Sequence, residues 1–309
     1  MIQKIATREM TEQEWVDSRK GSIGGSDAAA IVGLNPWKSA YALWAEKSGK
    51  VEPEDISMKE AVRLGHELEP YVAKRFTEIT GKKVRRENFT LKNDLYPWAH
   101  ANVDRMVIGE KAGLECKTTS ALALSKFRSG EYPANYYAQC VHYLAVTGLD
   151  RWYLCVLIGN QEVRVFTIER DEDEIEALMD SEREFWAGVE SGEAPLPDGS
   201  ESSSNTLSRL YQDEGGECDL TPFAGTLREY VELKAQVKDL TAKCDGLANQ
   251  IKEYMGTASR GSAGDFRVTY GSQTRRTFDK KAFSKDNPGF DLSNWEKVNT
   301  SRVFNVKGA

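Results

Sequence analysis

Near Lys83 the hydrophobic period of this chain changes, and that switch restricts its fold more than any compositional figure does. VRRENFTL, AHANVDRMV and GLECKT, spread over 84–118, are short strand-like runs divided by turn residues such as Asn93-Asp94 and Gly109. PANYYAQCVHYLAVTG then reads as a helix opened by Pro133 and closed by Gly148. RWYLCVLI and QEVRVFTIE follow as a hairpin turning at Gly159-Asn160. The order is helices, strands, helix, strands.

Upstream of the switch, Thr11 and Glu14 form a capping-box pattern before the first helix. Gly21, Gly24 and Gly25 make a flexible turn, and Ser26 is placed to cap the small-residue helix DAAAIV, which Asn35-Pro36 stops. Ser39 to Lys47 is a third helix, and Ser57 with Glu60 caps a longer one running to Gly81, which Pro70 should kink or divide. Downstream, Asp171 to Glu190 is an acidic helix, and EAPLPDGSESSSN has the composition of a linker. A main domain at 1–195, a linker at 196–220 and an appendage at 221–309 follow.

In the appendage, Tyr230, Leu233, Val237, Leu240, Cys244, Leu247, Ile251 and Tyr254 alternate steps of three and four, the a/d seam of a coiled coil. Cys244 and the two tyrosines weigh against a long parallel dimer. A basic tail follows, with FRVTYGSQTRRTF and SRVFNVK as strand-like ends.

Composition narrows the chemistry. Five cysteines are scattered without any CxxC pair, which argues against a disulfide scaffold, a zinc ribbon or an iron–sulfur cluster. Three histidines make a His-rich metal site or a Ser-His-Asp triad a poor expectation, so an active site here should run on carboxylates and lysine. A net charge of −7 argues against indiscriminate coating of nucleic acid, yet a channel can be locally basic on an acidic protein. There is no apolar run of membrane-spanning length and no apolar leader core, so a cytoplasmic location is expected.

The most informative cluster is Asp104 with Glu115-Cys116-Lys117 eleven residues later. In Glu115-x-Lys117 both side chains leave one sheet face, and Asp104 can approach them if the strands pair. Two carboxylates suit Mg²⁺, a hard cation, and a lysine beside them suits phosphodiester hydrolysis. Exposed strands often carry such charges without chemistry. Glu69 could face the same metal or simply solvent, and Gln139 could serve the site or bond within the core. Asp94 could add an acidic contact or only form a turn, and His142 reads as a packed histidine. Trp37, Trp44 and Trp98 could stack on bases, with burial expected for each.

Taken together, Arg19-x(6)-Ser26, Gly65-x(3)-Glu69, Asp104, Glu115-x-Lys117 and YYAQCVHYLAVTG resemble the YqaJ-type phage recombinases, which belong to the PD-(D/E)xK nucleases and are similar to lambda exonuclease. The match spans roughly 12–170, although Val103 replaces the proline of the literal motif. The resemblance implies an α/β fold with a central mixed sheet flanked by helices, and Mg²⁺-dependent 5′-to-3′ degradation of one strand of linear double-stranded DNA. It makes Asp104, Glu115 and the Cys116 carbonyl metal ligands, Lys117 the catalytic lysine, Glu69 the residue that completes or buttresses the metal site, and Gln139 the glutamine that positions Lys117 or the water. It assigns Arg19 and Ser26 to a 5′-phosphate. A ring-shaped homotrimer and a single-strand annealing partner belong to the same expectation, while the sequence leaves open whether one or two ions act and whether Mn²⁺ can substitute for Mg²⁺. The competing readings are an endonuclease or single-strand nuclease with the same metal site, and a non-catalytic DNA-end scaffold.

Overall fold

Polar breaks at Glu87-Asn88 and at Asn102-Val103-Asp104 cut two of the expected strands in half and send the halves to different sheets. The computed structural model describes residues 1–297 and 302–306, and the chain divides into two units, Met1–Gln212 and Asp213–Ala309. The first unit runs β1 (Ile2–Ala6), α1 (Glu12–Lys20), β2 (Ile23–Gly24), α2 (Gly25–Ile31), α3 (Ala40–Lys47), α4 (Glu60–Thr80), β3 (Val84–Arg86), β4 (Phe89–Asn93), β5 (Tyr96–Ala101), β6 (Arg105–Val107) and β7 (Ala112–Thr119). It continues with α5 (Ala134–Thr147), β8 (Arg151–Ile158), β9 (Glu162–Glu169), α6 (Glu172–Ser191) and α7 (Glu201–Leu210).

The main sheet has the order β3-β6-β7-β8-β9 and is mixed, because β7 and β8 are parallel while the other pairs are antiparallel. A parallel pair needs a crossover, and α5 supplies it. Side chains alternate along β8: Trp152, Leu154 and Val156 join Leu144 of α5, whereas Tyr153 and Cys155 join Val72, Ala73 and Phe76 of α4. The sheet is thus covered by helices on both faces, as expected. A second sheet, β1-β4-β5-β2, sets β2 parallel to β5 with Ile23 opposite Ala99, so the glycine turn lies beside the strand that leads to Asp104. Strand β1, in a segment read only for the absence of a leader, pairs with β4.

Several boundaries differ from the sequence reading. Gly24, not Ser26, caps α2, because the Asp27 carboxylate accepts the Gly24 N–H at 3.0 Å and starts the helix earlier. Ser57 does not cap α4, whose N-cap is Lys59. Pro70 does not divide that helix; the one internal hydrogen bond it lacks is offset by Val72, Ala73 and Phe76 packed on the sheet. The expected linker contains α7. Ser200 caps it by accepting the Ser203 N–H at 3.1 Å, and the buried Ser203 hydroxyl lies 2.9 Å from that of Ser39. Serines that suggest a flexible tether are here a cap and a docking face against α3, so the first unit extends to Gln212 rather than 195.

The second unit holds α8 (Ala224–Met255), a hairpin of β10 (Arg260–Ala263) and β11 (Phe266–Thr269), and α9 (Lys280–Asp286). FRVTYGSQTRRTF is a strand only in its first four residues. Of SRVFNVK, the described part 302–306 carries no strand, and Ser301 and Lys307 lie outside the described residues. Among the described residues no helix is long and apolar enough to cross a membrane.

Candidate active site

Asp104 stands in the break just before β6, and its Oδ2 accepts the Cys116 N–H at 2.8 Å. The pairing of β6 with β7, Arg105 opposite Leu114, makes that reach short. Glu115 and Lys117 share a face of β7, with Lys117 Nζ 2.6 Å from Glu115 Oε1. Gln139 of α5 closes the cluster: its Oε1 accepts from Lys117 Nζ at 2.9 Å and its Nε2 donates to Glu115 Oε1 at 2.8 Å. The same Nε2 donates to the Tyr143 hydroxyl oxygen at 2.8 Å, so Tyr143, which helical spacing puts on the face of Gln139, fixes the amide.

Burial pushes the Asp104 carboxyl well above the usual carboxylate range, and Glu115 and Glu69 push it further; the Cys116 N–H opposes them only in part. For Lys117, burial works against the charge, but the Glu115 carboxylate outweighs it and the net shift is upward. In this cluster the Glu115 carboxylate thus favours the ammonium form of Lys117. Glu69 reaches into the site from α4, yet its Oε1 lies 2.5 Å from Nη1 of the buried Arg105, which also donates to the Asp104 carbonyl at 2.6 Å. Sequence reasoning missed Arg105. Its only sequence signal is a basic residue directly after the candidate aspartate.

Among the described residues no group of three His, Cys, Asp or Glu side chains is gathered closely enough to hold a metal. The donor set nevertheless fits a hard divalent cation. Asp104, Glu115 and the Cys116 carbonyl between Glu115 and Lys117 offer only oxygen. Glu115 Oε2 is buried with no hydrogen-bond partner, and the Asp104 carboxyl is pushed up by burial and by Glu115 and Glu69 despite the opposing Lys117 charge. A cation would satisfy both.

Arg19, in the last turn of α1, stacks on Trp15 at 4.5 Å and places Nη2 3.5 Å from the Ser26 hydroxyl. Because Gly24 does the capping, Ser26 is free for that contact. Lys47 braces the turn by donating to the Arg19 and Ser22 carbonyls at 3.1 and 2.8 Å and pairing with Asp27 at 2.8 Å. Arg19, Ser26, Glu69, Asp104, Glu115 and Gln139 all line one cavity of about 470 Å³, and Lys117 touches it through Glu115 and Gln139.

The other candidates lie elsewhere. Asp94 pairs with the terminal amine and Gln3. His142 is fully buried between Glu182 and the His100 carbonyl, a packed histidine as read. Trp44 is buried and donates to the Gly188 carbonyl, and Trp98 is half-buried, but Trp37 is 74% exposed, contrary to the expected burial. Its segment leaves the core between α2 and α3, where no helical or strand period constrains it.

Gly25 ties the two halves of the cavity together. A Cβ there would lie 2.5 Å from the Tyr143 ring that holds Gln139. Gly25→Ala is expected to cost about 1–3 kcal/mol of stability and to slow any reaction of this site, whereas Gly21→Ala, with nothing within 4 Å, should do neither. Thermal unfolding of the two variants side by side checks this, and equal midpoints would refute it.

A mixed α/β sheet bearing this cluster defines the class to which the comparisons also point: residues 14–150 match the model of the YqaJ-like viral recombinase domain. The chain belongs to the YqaJ family. It is 39% identical over 302 residues to the uncharacterized protein YqaJ of Bacillus subtilis (strain 168), covering 96% of this chain and 93% of that protein. Among solved structures, the alkaline exonuclease LHK-Exo of Laribacter hongkongensis is 19% identical with a TM-score of 0.48, over 58% of this chain and 93% of its own. A phage-related exonuclease from Haemophilus somnus 129PT is 13% identical with a TM-score of 0.42, over 55% of this chain and 96% of its own.

Proposed function

We propose that this protein is a recombination exonuclease: a Mg²⁺-dependent deoxyribonuclease, served also by Mn²⁺, that degrades one strand of linear duplex DNA from the 5′ end and leaves a 3′ overhang. The observation that carries this reading is that the acidic cluster and the Arg19–Ser26 pair open on the same cavity. Asp104, Glu115 and the Cys116 carbonyl would hold the cation, with Glu69 supporting them from α4. Such an ion lowers the pKa of a water and neutralises phosphate charge. Lys117, held cationic, faces the negative charge that builds on the phosphoryl oxygens, and Gln139 fixes its ammonium so that little reorganisation is needed. Arg19 grips a terminal 5′-phosphate with its planar fork and Ser26 adds a hydroxyl donor, which registers the strand end against the carboxylates. A trimer around DNA, a single-strand annealing partner for the overhang, and action in the cytoplasm of a bacterial host complete the proposal.

End recognition separates this reading from an endonuclease with the same metal site. Arg19→Ala is expected to lower the initial rate on 5′-phosphorylated duplex by roughly 10- to 100-fold, the worth of a charge-assisted hydrogen bond. The rate on 5′-hydroxyl ends should change little. An Arg19→Ala enzyme that still prefers the phosphorylated end would remove Arg19 from that role.

A further inference from the structure

Gly24 occupies a position that its backbone does not reserve for glycine. Its φ of −102° and ψ of 164° are extended values that any residue adopts. The constraint is space: a Cβ on Gly24 would lie 3.1 Å from Nε2 and Cε1 of His100 and 3.7 Å from Nη2 of Arg19. Glycine therefore keeps a methyl-sized gap open between an imidazole edge and a guanidinium.

The protein itself does not use that edge. His100, on β5, is 1% exposed and lines the active-site cavity, yet its Nε2 has no hydrogen-bond partner among the described residues. Neither has the buried Nε of Arg19. Buried polar groups without partners are costly and few in native proteins. The tautomer follows from counting. Ser22 Oγ lies 2.8 Å from His100 Nδ1, and this buried hydroxyl has no other partner among the described residues. If Nδ1 carried the proton, the Ser22 O–H would be orphaned along with Nε2; with the O–H donating to Nδ1, only the Nε2–H stays open. Burial above all, then the charges of His142, Arg19 and Lys47, push the imidazole pKa down to about 3, so the ring is neutral near pH 7 and presents a donor to the gap.

We infer that His100 binds the terminal 5′-phosphate of the substrate strand, its Nε2–H and the Arg19 guanidinium holding a phosphate oxygen between them against Gly24. The inference rests on the 5′-phosphate role proposed for Arg19 and Ser26, and adds to it an uncharged donor that fixes the direction of the end group. The contact is to that group alone, so its loss leaves the general attraction to duplex DNA intact.

The test reads affinity without turnover. In EDTA, the full-length protein is titrated into two internally labelled blunt duplexes of one sequence, one with 5′-phosphates and one with 5′-hydroxyls, and anisotropy gives the ratio of their dissociation constants. A folding defect weakens both and leaves the ratio unchanged. His100→Leu should reduce the preference for the phosphorylated duplex by roughly tenfold, the worth of a hydrogen bond to a charged group, whereas His100→Gln, whose amide keeps a donor, should stay within about threefold of wild type. Gly24→Ala, which retains both donors and fills the gap, should behave as His100→Leu does. A wild-type ratio in His100→Leu or Gly24→Ala overturns the inference, as does a His100→Gln ratio as low as that of His100→Leu. If Arg19→Ala then still loses the preference, the 5′-phosphate reading stands without His100; equal binding of both duplexes by the wild-type protein overturns that reading too.

Discussion

Lys117→Ala is expected to slow DNA hydrolysis by roughly 10²–10³-fold while leaving affinity for duplex DNA within a few fold. Lys117 bonds to Glu115 and Gln139 in the resting site, which favours its ammonium form there, and under the proposed function that charge would serve the transition state rather than substrate binding. Lys117→Met, which keeps the aliphatic stem, should show the same loss and so separates missing charge from a collapsed site. Single-turnover rates and fluorescence anisotropy on one labelled duplex give both quantities. Activity within about threefold of wild type would return the cluster to an ordinary charged strand face and favour the non-catalytic scaffold.

Glu182→Gln is expected to destabilise the first unit by about 3–5 kcal/mol, as removal of one partner from a buried ion pair does. Both His142 and Glu182 have fully buried side chains, and their 2.7 Å contact ties α5, the helix that carries Gln139, to α6. Burial opposes the charge on His142, but the Glu182 carboxylate and the His100 carbonyl outweigh it and raise its pKa. A raised folded-state value means that the pair's contribution is complete below the unfolded pKa of about 6.5 and is lost as pH rises through the folded value. Urea unfolding of wild type and Glu182→Gln should therefore show a gap that is widest near pH 6 and narrows in alkaline buffer. A gap that widens with pH would mean the histidine is neutral in the folded protein.

The parts of the site that rest on strand alternation were readable from sequence. Glu115 and Lys117 share a face because the period is two, and Asp104 meets them because β6 and β7 pair. Gln139 needed the helix after Pro133, which its composition announces. What sequence did not disclose lies in long-range contacts. Arg105 turns Glu69 toward itself, and Lys47 braces the Arg19 turn. Neither contact has a periodic signal, since each joins elements far apart in the chain, whereas Tyr143 sits one turn from Gln139 on α5 and shares its face by helical period. The misplaced caps have a local cause: Ser26 and Ser57 have good capping chemistry, but Asp27 bonding to Gly24 starts α2 early and α4 begins at Lys59 without a side-chain cap. Serine-rich 200–208 was misread because its serines satisfy each other and Ser39, a contact 164 residues away along the chain.

The most direct test of the central claim is a strand-resolved time course on linear duplex DNA with one 5′-phosphorylated and one 5′-hydroxyl end, each strand carrying its own 3′ label, in Mg²⁺ and in EDTA. The account predicts that the 5′-phosphorylated strand shortens from its 5′ end to mononucleotides, that its complement persists as a 3′ overhang, and that EDTA stops the reaction. Internal cuts, equal loss of both strands, or degradation undiminished by EDTA would contradict it.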